Sequence, residues 1–106
     1  MDINKQGFTK NDLITLFESQ SDQLDFSFGT VIIQPGERVP AEGFSNHEEN
    51  EYSIIIEGSI EGESGGKSFN VNASEATLIP SGEKHWAINN GDKPCKIVWT
   101  LVKEKK

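Results

Sequence analysis

At 106 residues and 11.7 kDa, the chain has room for one domain with one modest core. Ten Lys and Arg against seventeen Asp and Glu leave a net charge of −7, which argues against a nucleic-acid or anionic-membrane surface, since those need clustered positive charge. No apolar run approaches the ~20 residues of a membrane span, and the opening MDINKQGF lacks the basic and apolar regions of a signal peptide, so a cytoplasmic location is expected.

Residues 9–24 read as a short helix. Thr9 stands as a cap with Asp12 three positions later, and Leu13, Leu16 and Phe17 recur at helical spacing. This predicts an N-terminal arm over residues 1–25 that lies on a main body formed by residues 26–106. From Phe26 onward the pattern turns short and β-rich. FGTVIIQ, from Phe28 to Gln34, ends at Pro35-Gly36, and EYSIIIE, from Glu51 to Glu57, closes at Gly58. Residues 60–64 and 67–71 flank Gly65-Gly66, the clearest hairpin signal in the chain. Further strands are expected over 76–79, 84–89 and 96–102, separated by Pro80-Ser81-Gly82 and Asn90-Gly91-Asp92. Many short strands spaced by Gly, Pro and Asn turns indicate an all-β antiparallel sandwich or barrel.

Charge is uneven along this body. Between Arg38 and Lys67 there is no Lys or Arg, while Glu42, Glu48, Glu49, Glu51, Glu57, Glu61 and Glu63 all fall there. Such a stretch is either a solvated face or a cation site. The chain has two histidines, His47 and His85. His47 and Glu51 are four apart, so on an extended chain they share one face with Ser45. Two imidazoles and one carboxylate on one side of an ion, with open positions opposite, suit Fe(II), Mn, Co, Ni or Zn. The competing reading makes both histidines hydrogen-bonded interior residues. Lone Cys95 excludes an internal disulfide and a cysteine-rich zinc site, and reads as a small packing residue.

The order of these features resembles the cupin superfamily. QPGERVPAEGFSNHEENEYSIIIEG, from Gln34 to Gly58, resembles its first motif: His47, three residues, Glu51, six residues, Gly58 reproduce the second half of that pattern. PSGEKHWAIN, from Pro80 to Asn89, resembles the second motif through Pro80, Gly82, His85 and Asn89. The resemblance spans residues 26–102 and implies a double-stranded β-helix, the jelly-roll barrel. It departs in three places. Ser45 stands where the first motif has its first histidine, the loop from Gly36 to His47 is longer than usual, and Ser74-Glu75 replaces a Gly-Asp turn.

Carried over position by position, the resemblance implies that His47, Glu51 and His85 bind a divalent transition metal. Ser45 or Glu42 would contact the substrate or supply the fourth ligand. Three functions follow from it. The first is a metal-dependent enzyme acting on a small polar or anionic molecule in the barrel mouth, such as a dioxygenase, isomerase or lyase. The second is a non-catalytic small-molecule-binding or sensor protein, with or without metal, which the missing histidine favours. The third, a metal-free sugar-nucleotide isomerase, needs a basic cleft, and Arg38 is the chain's one arginine. If Glu51 points inward, so do Ser53 and Ile55, while Tyr52, Ile54 and Ile56 face out. That apolar outer face predicts a homodimer.

Overall fold

The computed structural model describes residues 1–9 and 13–105, and it is all-β. Nine strands are described: β1 (Ile14–Gln20), β2 (Leu24–Ile33), β3 (Arg38–Val39), β4 (Asn50–Glu57), β5 (Ser59–Ser64), β6 (Lys67–Asn72), β7 (Ala76–Ile79), β8 (His85–Ile88) and β9 (Cys95–Glu104). They form a five-stranded sheet in the order β1-β2-β9-β4-β7 and a four-stranded sheet in the order β3-β8-β5-β6. All pairings are antiparallel. Consecutive strands often lie in different sheets, so the chain winds back and forth as a jelly roll does.

The long ladder of β2 with β9, from Leu24↔Glu104 to Ile33↔Cys95, is the spine of the larger sheet. Its inner residues alternate as the sequence pattern requires. Ile33, Ile55, Val71, Cys95 and Ile97 form the buried core, with Val31, Ile60 and Phe69 packed against it. Ile97 and Trp99 therefore fill the interior. Cys95 is fully buried, and burial pushes its thiol up to about 11, so it stays protonated at neutral pH and packs like a small hydrophobe. Gly65 and Gly66, at φ 58° and 78°, make the tight β5–β6 turn that their sequence announces.

The short N-terminal helix expected over residues 9–24 does not form. Ile14–Gln20 is an edge strand paired along β2, and the Asp12 half of the expected capping box lies outside the described residues. Leu13, Leu16 and Phe17 satisfy a helical repeat, but β-branched Ile14 and Thr15 favour an extended backbone, and Ile14 and Leu16 are the half-buried positions of an alternating strand. A short amphipathic helix is marginal alone, whereas the exposed edge of β2 offers a full set of backbone partners. Gly29 makes this edge possible. A Cβ there would lie 2.5 Å from Trp99 Cζ2 and would overlap the carbonyl oxygen of Ile14.

Gly7 and Asn4, ahead of β1, bond to strands of the larger sheet. The Thr30 hydroxyl donates to Gly7 O at 2.7 Å, and Asn4 Nδ2 donates to Leu16 O at 3.0 Å. Register pairs place Thr30, Val98, Ile54 and Ala76 in one row, so Gly7 sits at the β2 end of the outer face, and Phe8 lies beneath Lys96 of β9. Tyr52, Ile54, Ile56 and Leu78 remain exposed at the other end.

Candidate metal centre

Two loop-to-strand junctions build the site, and backbone bonds fasten them together. His47 precedes β4, Glu51 lies in β4, and His85 opens β8. The turn at residues 80–82 docks on the first junction: Gly82 N donates to His47 O at 2.8 Å, and Ser81 N donates to the Asn50 side-chain oxygen at 2.9 Å. Ser45 and His85 exchange both backbone hydrogen bonds, each at 2.9 Å, as an isolated bridge. Segments distant in sequence are thus held in register by main-chain groups, leaving the histidine side chains free for other work.

Buried Asn89 closes the far end of β8. Its Nδ2 donates to Ile33 O at 2.8 Å and Lys93 O at 2.7 Å, while its Oδ1 accepts from Gly91 N at 3.0 Å. An amide with every bond made to backbone is a structural clamp rather than a ligand contact.

Hydrogen bonds fix the histidine tautomers. His47 Nδ1 lies 3.1 Å from Glu49 O, and His85 Nδ1 lies 2.9 Å from Glu83 O. A carbonyl only accepts, so each Nδ1 carries the hydrogen and, in the neutral ring, each Nε2 carries a lone pair. His47 Nε2 then faces Glu51 Oε1 at 3.1 Å, acceptor against acceptor. That contact is stable only when a cation, either a proton or a metal ion, lies between the two atoms. The His47 and His85 rings meet edge to face, with centroids 5.2 Å apart and planes at 69°.

One ligand atom from each of His47, Glu51 and His85 lies within 4.8 Å of the other two. Donors about 2.1 Å from one ion sit roughly 3 Å apart at right angles, so the 3.1 Å contact matches the length of a coordination edge as well as that of a hydrogen bond. The donor set fits a divalent transition metal. His47 and Glu51 are about three-quarters buried, which shields the group without sealing it.

The remaining carboxylates sort themselves. Glu48 turns outward to an exposed ion pair with Lys103, whose hydrogen bond and charge hold the Glu48 carboxyl below its usual range. Glu42 is exposed and is not brought to the group. Ser45 does lie beside it, on the wall of the same cavity.

That cavity measures about 480 Å³. One end carries Ser45, His47, Glu51, Ser53, Glu83 and His85, and the other runs into the core against Val31, Ile33, Ile55, Phe69, Val71 and Ile97. Ser53 and Ile55 thus share the inward face with Glu51, as parity requires, while Tyr52, Ile54 and Ile56 face out. Sequence reasoning missed Glu83. The Ser64 hydroxyl donates to its carboxylate at 2.6 Å, holding it in the cavity. Equal parity with His85, two residues on, was the signal available.

Comparison with known proteins agrees with this fold. The family model described as a Cupin domain matches residues 29–101. A protein named polyketide synthase CurC, from Streptomyces cyaneus, is 32% identical over 73 residues, covering 69% of this chain and 46% of its own. The cupin domain of Cnp3 from Schizosaccharomyces pombe superposes with a TM-score of 0.75 at 17% identity, covering 88% of this chain and 64% of that one. A Thermotoga maritima protein described as a predicted oxalate decarboxylase gives a TM-score of 0.64 at 20% identity, covering 76% and 80%. The chain spans about half the length of the Streptomyces relative, and the two structural likenesses speak to fold alone.

Proposed function

The chain belongs to the cupin family, and from that premise we propose that it binds one divalent transition-metal ion through His47, Glu51 and His85 and uses it on a small molecule held in the barrel. One observation carries this reading: His47 Nε2 and a carboxylate oxygen of Glu51 stand 3.1 Å apart beside the second imidazole, an arrangement that calls for a cation between them. Bound there, the ion would supply Lewis-acid chemistry for an isomerase or lyase, or the redox centre of a dioxygenase.

The protein's own groups do the rest. The Glu49 and Glu83 carbonyls keep both Nε2 atoms turned to the site. Glu83, anchored by Ser64, is a carboxylate within the cavity that can accept a proton from a bound molecule and return it. Ser45 offers a hydroxyl to the same molecule. It is also a poor ligand where the family usually has a histidine, and that favours a second reading as a non-catalytic sensor or binding protein.

Elemental analysis tests the metal that the first reading requires. Protein loaded with Mn, Fe, Co, Ni or Zn at pH 7 should retain one ion per chain and lose it on dialysis against chelator at pH 5.5. Protons compete for the imidazole nitrogens and the carboxylate, so affinity falls as pH falls below about 6. Absence of a stoichiometric ion under every loading condition would leave only the metal-free binding protein.

The exposed row of Tyr52, Ile54, Ile56 and Leu78 supports a homodimer through the outer face of β4 and β7. Light scattering on the eluting protein should give about twice 11.7 kDa, and a clean 11.7 kDa species refutes the dimer. No helix is long and apolar enough to cross a membrane among the described residues. The net charge of −7 and the single unpaired cysteine support a cytoplasmic protein that binds neither nucleic acid nor membrane.

A further inference from the structure

We infer that the molecule this cavity accepts has a hydrocarbon body and one oxygen-bearing head, and is not a small dianion. The inference rests on the metal reading above for the head and on the cavity walls for the body. The walls divide by chemistry. Every oxygen and nitrogen named at the site, on Ser45, His47, Glu51, Ser53, Glu83 and His85, belongs to one end. The rest of the lining is hydrocarbon, through Ile55, Ile97, Val31, Ile33, Phe69 and Val71, apart from the side chains of Ser64, Thr77, Trp86 and Trp99. Exposed Leu13 and Val39 line the same space, so apolar side chains also stand where a body would enter.

Charge points the same way. Among the described residues no Lys or Arg lines the cavity, while Glu51 and Glu83 both do. Arg38 is engaged elsewhere. Its guanidinium carbon lies 4.5 Å from the centroid of the Trp86 ring, and Nη1 donates to Pro40 O at 2.8 Å. One carboxylate, enolate or phenolate head could be matched by an ion on the three ligands. A second negative group would be buried against hydrocarbon or against Glu83, with no positive partner, which is the costly arrangement. Size fits a substantial body. An apolar cavity of about 150 Å³ holds one benzene ring, so 480 Å³ has room for roughly two or three fused rings or an equivalent branched chain.

Calorimetric titration of the full chain, zinc-loaded and chelator-treated, tests the inference with four probes: neutral 2-naphthol, 2-naphthoate, acetate and succinate. On the loaded protein, 2-naphthoate should bind roughly ten- to a hundredfold tighter than acetate, the gain from burying an aromatic body. It should beat succinate by at least as much. On the chelator-treated protein, 2-naphthol should still bind, since its site is the hydrocarbon wall. Val31→Phe, or Ile60→Phe should the first fail to fold, fills the inner end and should weaken both naphthyl probes about tenfold or more while leaving the zinc content unchanged.

Succinate or acetate binding as tightly as 2-naphthoate would overturn the inference, and so would 2-naphthol failing to bind. Failure of zinc loading with 2-naphthol binding intact overturns the metal reading and the anchoring of the head, and leaves the apolar body standing.

Discussion

His85→Ala is expected to abolish stoichiometric metal binding while the barrel continues to fold cooperatively. The affinity loss should exceed the ten- to hundredfold that follows when only an outer partner of a ligand is removed, and about a thousandfold is a reasonable scale. Two features separate this loss from a general collapse. His85 is joined to Ser45 through backbone N–H and C=O groups, which alanine keeps. Its ring is only part-buried and lies outside the core cluster, so truncation opens no interior void. Thermal melts should therefore place the metal-free variant within a few degrees of the metal-free parent.

Loading should raise the melting temperature of the parent and not of the variant, because an ion stabilises only the state that binds it. His47→Ala should behave alike, with one difference: it removes the acceptor facing Glu51 as well as a ligand, so the carboxylate is relieved. Retention of one ion per chain in His85→Ala would mean that the ion sits elsewhere. Collapse of the fold would make the imidazole an interior structural group.

Why such a site could be anticipated from the amino acids is clear from particular residues. His47, Glu51, Pro80, Gly82 and His85 stand at spacings that survive folding, because each is tied to a turn or a strand start, and those have rigid local geometry. The alternation of Glu51, Ser53 and Ile55 against Tyr52, Ile54 and Ile56 was legible for the same reason: a strand with one buried face admits only one phase. Strand β1 was not legible. Its Leu16 and Phe17, with Leu13 just before it, fit a helix, and the choice is made by the open edge of β2 and the gap at Gly29, neither of which is visible locally. Two-residue β3 carries too little pattern to announce itself. Glu83 was hidden for another reason. Its role depends on Ser64, nineteen residues away, through a bond that exists only once β5 lies beside β8.

Ser45→His is expected to tighten metal binding roughly ten- to a hundredfold, a gain of the size associated with one well-placed additional partner. The argument is geometric. Ser45 is bridged directly to His85 and is two residues from His47, and its side chain lines the same cavity wall as both. An imidazole at this position adds a nitrogen donor to three ligand atoms that already lie within 4.8 Å of one another. The backbone bonds between residues 45 and 85 are indifferent to the side chain, so the geometry that positions the new ligand is inherited rather than built.

Ser45→Ala is the control. A hydroxyl contributes little to a divalent ion, so its loss should leave affinity unchanged while removing any contact with a bound molecule. Competition against a chromophoric chelator gives the affinities, and the visible spectrum of the cobalt-loaded proteins reports the coordination number directly. An unchanged spectrum and affinity in a folded Ser45→His protein would place the ion away from the face that residues 45, 47 and 85 share. A gain that also requires Glu51, lost again in the double variant Ser45→His with Glu51→Ala, would fix all four side chains around one ion.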